Sequence, residues 1–238
     1  MSSLDLTTVR KAPGAVAVVV FSLLAAPLTA RAYDPDGLWE VVSTKCVPNQ
    51  RDTGNPAACI EVNVSKGVDS GFVVLEDSDP LKPYEYLLIP TQPITGIESK
   101  KVLEAGASNY FEDAWAARSY LITLLKAPLA WDMVGLAVNS AEDRSQNQLH
   151  IHIDCIRWDI RTNLRSREDA LSNRWSELKL PAPDHPYMIM KLETDSLAES
   201  NPFRLLADGI SGAKEHMDIE TLALLERYSR TGSAVSNF

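Results

Sequence analysis

The chain has 238 residues, of which 45% are hydrophobic and 23% charged, and its formal net charge is −9. That composition belongs to a globular protein with one sizeable core and excludes a low-complexity or disordered chain. The acidic balance argues against nucleic acid as a partner and against electrostatic capture by anionic lipid.

Near the N-terminus, Arg10 and Lys11 precede an apolar run from Ala12 to Ala30, broken by Pro13, Gly14, Ser22, Pro27 and Thr29. Ala30-Arg31-Ala32 supplies a small-x-small site before Tyr33. A basic flank, an apolar middle and a small-residue exit are the parts of a secretory signal. The run also approaches the ~20 residues that a membrane-spanning helix needs. Residues 1–32 therefore read as a cleaved signal or a retained anchor, and residues 33–238 as one exported domain. The basic flank stays in the cytoplasm, which places the body across the membrane. Arg10, Lys11 and Arg31 against Asp5 give the first 32 residues +2, so the body alone carries −11.

Leu38 to Ser43 reads as a first strand. Cys46 and Cys59 flank a loop rich in Pro, Asn, Gly and Asp, and in an oxidising compartment they are expected to pair. Strands follow at Ile60 to Val64 and Gly71 to Leu75, then a turn from Asp77 to Pro83 and a strand from Tyr84 to Ile89. Ser108 to Lys126 is the best helix: Ser108 can cap it, Glu112 and Asp113 suit its dipole, and Phe111, Trp115, Tyr120, Leu121 and Leu124 lie near helical spacing. Val134 to Asn139 and Gln148 to Ile156 form two strands joined by a polar loop. A helix is expected at Ser166 to Asn173, a strand at Tyr187 to Leu192, a short apolar segment from Asn201-Pro202-Phe203, and a closing helix at Thr221 to Tyr228. Strands at hairpin spacing with few crossover helices predict an antiparallel α+β domain. No Gly-rich phosphate loop precedes a helix.

The stretch from Asn139 to Asp154 holds two of the four histidines. On a strand, His150, His152 and Asp154 share one face, while Ile151 and Ile153 take the other. Cys155 then points away from His152 and reads as a buried thiol. Two imidazoles and a carboxylate on one face suit either nucleophilic catalysis or zinc ligation. A neutral imidazole, with an ordinary pKa of about 6.5, is a competent nucleophile at neutral pH. A metal hydrolase using His150, His152 and Asp154, or a non-enzymatic nucleotide-binding module, are the competing readings. Arg144, Arg157 and Arg161 can neutralise a diphosphate or simply form a solvated face. Phe111 and Trp115 read as core.

Two segments resemble the histidine triad superfamily of nucleotidyl hydrolases and transferases. One is Asn139, six residues, Gln146, Asn147, two residues, then His150-Ile151-His152-Ile153. The other is Leu75 to Ile97, L-E-D-S-D-P-L-K-P-Y-E-Y-L-L-I-P-T-Q-P-I-T-G-I. The resemblance implies a histidine-triad-like antiparallel sheet with flanking helices, and His152 as nucleophile with His150 beside it. Asn139 and Gln146 are expected to orient the phosphate or hold the loop, and Asn147 to hydrogen-bond near the nucleophile; the resemblance further implies Asp77 as the ribose acid. Asp154 stands at the third triad position, where the family usually has His. A second register makes Gln148, His150 and His152 the triad, with His150 attacking. Only the His152 register keeps Asn139 and Gln146 at the family's distances.

A narrower resemblance is carried by L-W-E-V-V, K-C-V-P-N-Q, L-L-I-P-T, Q-N-Q-L-H-I-H-I-D-C-I-R and N-P-F-R-L-L-A-D in that order. Together with the N-terminal apolar segment, they resemble the CDP-diacylglycerol pyrophosphatase family. This implies hydrolysis of CDP-diacylglycerol to CMP and phosphatidate in phospholipid metabolism, without a cofactor or metal. Arg157 joins the expected substrate-binding residues. The implied place is the bacterial inner membrane, with the catalytic domain facing the periplasm.

Overall fold

The computed structural model describes residues 34–126, 130–180, 186–194 and 196–226. The apolar segment before Tyr33, expected as signal or anchor, lies outside the described residues. Among those described, no helix is long and apolar enough to cross a membrane.

The chain opens with helical turns: α1 (Gly37–Val41), a π-helical turn (Val42–Cys46) and α2 (Val47–Thr53). The expected first strand is therefore a helix. Leu38, Val42 and Cys46 are all buried, and their spacing of four makes one apolar stripe, which a strand would leave without a helical neighbour to continue it. Cys46 and Cys59 form a disulfide across a sequence separation of 13.

Six strands then build one sheet: β1 (Glu61–Asn63), β2 (Phe72–Glu76), β3 (Tyr86–Pro90), β4 (Val134–Val138), β5 (Ile151–Cys155) and β8 (Leu222–Leu225). Their spatial order is β1-β2-β3-β5-β4-β8, and every pairing is antiparallel. The expected α+β class with an antiparallel sheet holds. A separate hairpin joins β6 (Ser176–Lys179) to β7 (Pro186–Ile189), so the strand expected at Tyr187 to Leu192 is shorter.

Helix α3 (Tyr110–Leu125) lies within the expected span, but Ser108 does not cap it. Its hydroxyl donates instead to the Ser70 carbonyl, and Asn109 at the N-cap donates its amide to Leu197. The next helix, α4 (Trp158–Arg167), starts eight residues before the expected position. One face presents Arg161 and Arg165, a turn apart, and both bind the buried Asp132 carboxylate, which fixes the helical register. Helix α5 (Pro202–Gly209) is capped by Asn201, whose side chain accepts from the Phe203 and Arg204 amides, with Pro202 in the first turn.

The expected closing helix is strand β8. Leu, Ala and Glu favour a helix, yet Leu222 and Leu224 pair with Val138 and Leu136 and present their side chains to the core. Edge pairing with β4 overrides local propensity. The part of that helix beyond Glu226 lies outside the described residues.

One sheet face carries the main core, in which Leu88, Leu136, Ile151 and Ile153 meet Phe111 of α3 and Phe203 of α5. On the opposite face, Leu38, Val42 and the disulfide pack on Val73, Leu87 and Ile89 of β2 and β3. This second cluster reaches the strand beside β5 and goes no further, so His152 stands at its margin.

Replacing both Cys46 and Cys59 by Ser is expected to lower stability by about 3 kcal/mol, because the reduced chain regains loop entropy. Urea unfolding of the variant and of the reduced parent should agree; no loss in either would refute the disulfide's stabilising role.

Candidate active site

Alternation along β5 does what the pattern predicts. Ile151 and Ile153 are fully buried in the core, and His152 and Asp154 stand half-buried on the other face. His150 precedes the strand and is buried. The two imidazole rings meet edge to face, with centroids 4.8 Å apart. Cys155, expected to be buried, is exposed. It is the last residue of β5, beyond the reach of the core.

Sequence reasoning missed the residue that organises the site. Glu85 is 3% exposed, and its carboxylate accepts a hydrogen bond from His152 Nδ1. Cross-strand register explains the meeting: Leu87 pairs with His152, and Glu85 lies two residues before Leu87 on the same face, a diagonal neighbour. Burial pushes the Glu85 carboxyl up, but the His152 and Lys82 interactions outweigh it and hold the group below its ordinary value. The Lys82 ammonium lies 2.9 Å from Glu85 Oε2. An ionised Glu85 can only accept, so His152 presents an Nδ1 proton to it, and the lone pair of the neutral ring is the one on Nε2. That nitrogen lies 3.4 Å from the Asn139 amide nitrogen.

His150 is arranged differently. Its Nδ1 donates to the Gln148 carbonyl at 2.7 Å. Burial, with help from neighbouring His152, drives its pKa down to about 4, against the pull of that carbonyl. At neutral pH His150 is therefore uncharged, and its Nε2 is an acceptor. It cannot supply positive charge to a phosphate. Burial raises the Asp154 carboxyl, whose Oδ1 accepts from the Cys155 amide at 2.6 Å.

The other expected residues divide. Gln146 is a fastener for the N-terminal helix: its Oε1 accepts from the Leu38 amide at 2.7 Å, and its Nε2 donates to the Asp34 carbonyl. It thereby satisfies one of the unpaired amides at the start of α1. Asn147 is exposed, and its backbone amide donates to the Pro35 carbonyl. Both residues tie the loop before β5 to the segment that leads into α1. Asp77 folds its own turn by accepting from the Asp79 amide at 2.9 Å, and it stands 3.9 Å from Lys82, which links it to Glu85. The three arginines are committed elsewhere: Arg144 to Glu98, Arg157 to Asp159 and Arg161 to Asp132. Asp159 engages Arg157 with two oxygens at an exposed position beyond β5. Among the described residues, no three His, Cys, Asp or Glu side chains are grouped so as to hold a metal ion.

The arrangement offers a buried carboxylate, an imidazole oriented by it, a lone pair turned toward an amide donor, and a second neutral imidazole in contact. This suits attack on an electrophile that develops negative charge near Asn139. Residues 33–235 match the family described as CDP-diacylglycerol pyrophosphatase. A relative from Yersinia pestis with the same description is 38% identical over 209 residues, covering 87% of this chain and 79% of the relative. With the match spanning the whole of this sheet and its histidine strand, the chain belongs to the CDP-diacylglycerol pyrophosphatase family.

Proposed function

We propose that this protein hydrolyses the diphosphate of CDP-diacylglycerol to CMP and phosphatidate, with His152 as the nucleophile. The observation that carries the mechanism is the buried Glu85 carboxylate on His152 Nδ1, which commits that nitrogen's proton and leaves the Nε2 lone pair for attack.

His152 Nε2 attacks the phosphorus that bears the cytidine ribose. A P–N bond forms as the bond from that phosphorus to the bridging oxygen breaks. The bridging oxygen takes the electron pair and leaves with phosphatidate. Because the leaving group is a phosphate, it needs little protonation, which suits an Asp at position 154 in place of a third His. Positive charge developing on His152 is met by Glu85, as in other carboxylate–imidazole pairs. The Asn139 amide moves from Nε2 to a phosphoryl oxygen. Water then attacks the same phosphorus and the P–N bond breaks. His150 Nε2 accepts a hydrogen bond from that water, which releases its proton to solvent as CMP departs. Asp77 is the ribose partner in this reading. Residues 33–238 act as one histidine-triad-like domain. An N-terminal signal or anchor carries it to the periplasmic side of the bacterial inner membrane, where its substrate resides.

His152→Ala is expected to abolish CMP release from CDP-diacylglycerol while the circular dichroism spectrum is retained. Turnover above a trace in the folded variant would remove His152 as nucleophile, and His150→Ala tests the other register in the same assay. Activity should be equal with and without a strong chelator; loss restored by zinc would assign the histidines to a metal instead.

Glu85→Gln should keep the fold and lower kcat by roughly 10²- to 10⁴-fold with little change in KM. Glu85→Asp should recover part of the loss. A rise in KM with kcat unchanged would make Glu85 a binding or structural group.

The His150 ring should stay neutral down to about pH 4 in an NMR titration. Since the unfolded chain protonates this ring near pH 6.5, stability should fall as pH drops from about 6.5 toward 4. A His150 midpoint above 6 would contradict burial as the dominant influence on this ring.

A further inference from the structure

The face that carries His152 does not stop at β5. Register places Ala137 of β4 opposite His152, and Ala223 of β8 opposite Ala137, so all three side chains share that face. One step along, Asp154, Gly135 and Leu225 are aligned in the same way. Leu225 and Ile156 close over Gly135, where a Cβ would meet their methyl groups at 2.8 and 2.7 Å. Along the His152 row, Ala137 and Ala223 keep the floor low to the edge of the sheet, while Leu225 and Ile156 fill the space over Gly135 beside it. At that edge opens a cleft of about 650 Å³ that wraps the edge, lined by Ala223, Leu225 and Ile156 from the histidine face and by Leu222, Leu224 and Trp115 from the core face. Its far wall comes from the β6–β7 hairpin and its flanking segments, including Trp175, Met188 and Leu192.

The cleft combines apolar side chains with charged ones. Its apolar lining is Leu, Ile, Met and Trp, the composition of a site for hydrocarbon. Charged groups at its margin are engaged with each other: Arg161 and Arg165 hold Asp132, Arg118 holds Glu226, and Lys191 holds Glu193. An anionic headgroup or a nucleotide would meet carboxylates and already-paired cations there. An acyl chain requires no partner of either charge. Strands in a sheet lie ~4.8 Å apart, so β8 is roughly 10 Å from β5. That is the scale of the link between a diphosphate and the first carbons of its acyl chains.

We propose that this cleft at the β8 edge holds an acyl chain of the lipid diphosphate while the diphosphate lies over His152. The proposal rests on the CDP-diacylglycerol reading and adds to it the place where the hydrocarbon binds. Ala137 and Ala223 form the ramp between the two, and Trp175, clamped by its indole donating to the Leu205 carbonyl of α5, stiffens the outer wall.

The test is photo-crosslinking of the full chain carrying His152→Ala with CDP-diacylglycerol bearing a diazirine in the acyl chain, with adducts mapped by mass spectrometry. Adducts are expected within residues 188–192 and 222–225, and excess unlabelled CDP-dioleoylglycerol should suppress them. Adducts confined to other surfaces, such as the exposed Leu81, Tyr84 and Trp158, would overturn the assignment. A second arm uses Met188→Glu and Ala223→Phe, both at exposed positions. The ratio of kcat/KM for CDP-dioleoylglycerol to that for CDP-dihexanoylglycerol should fall at least tenfold in each. An unchanged ratio would also overturn it. Failure of the parent protein to release CMP from either lipid would instead defeat the underlying reading of function, so the two failures are told apart.

Discussion

The hydrogen bond between Glu85 and His152 organises this site, and it depends on the pairing of β3 with β5. A carboxylate buried to this degree is costly unless it has a partner. His152 supplies a hydrogen bond and Lys82 a nearby charge. In return the imidazole is held in one tautomer. A slip of β3 by one residue would turn Glu85 to the core face and leave both groups unsatisfied. Register is held on that core face by Tyr86 and Leu88, which pair with Ile153 and Ile151 and are buried with them. Hydrophobic packing on one side of the sheet therefore sets polar geometry on the other.

The two histidines are neighbours with different environments. His150 is buried, donates to a backbone carbonyl and remains neutral to about pH 4. His152 is half-buried and answers to a carboxylate. Of the two, His152 is the one whose Nδ1 partner is a carboxylate, which can stabilise a positive ring as a bond forms at Nε2. The same contrast favours His152 over His150 in the proposed chemistry, independently of the spacing of Asn139 and Gln146.

The N-terminal helical turns serve the site indirectly. Their apolar stripe and the disulfide cover Val73, Leu87 and Ile89, which seals the sheet on the β3 side of His152. Gln146 and Asn147 then bind this segment to the loop that leads into β5. Gln146, expected either to orient the phosphate or to hold the loop, ties down the loop at the entry to the histidine strand. On the β4 side, Ala137 and Ala223 leave the face low along the His152 row, the direction in which the proposed acyl chain extends.

Period-two and period-four patterns, read locally, determined much of this molecule. The alternation His150-Ile151-His152-Ile153 required a strand with imidazoles on one face, and runs of apolar residues located β2, β3 and β4. The long helix followed from its apolar spacing, and the cysteine pair from the compartment implied by the N-terminus. Motif order was enough to indicate the family. Tertiary structure decided the rest. Leu38 to Ser43 and Leu222 to Leu225 are each compatible with two periods, and only packing against the sheet made the first helical and the second an edge strand. Asp132 fixed α4 from a distant position through Arg161 and Arg165. Glu85 meets His152 across 67 residues of sequence, by a strand register that no local pattern encodes. Local periodicity reports which face a side chain takes; which side chain it meets there is set by long-range pairing.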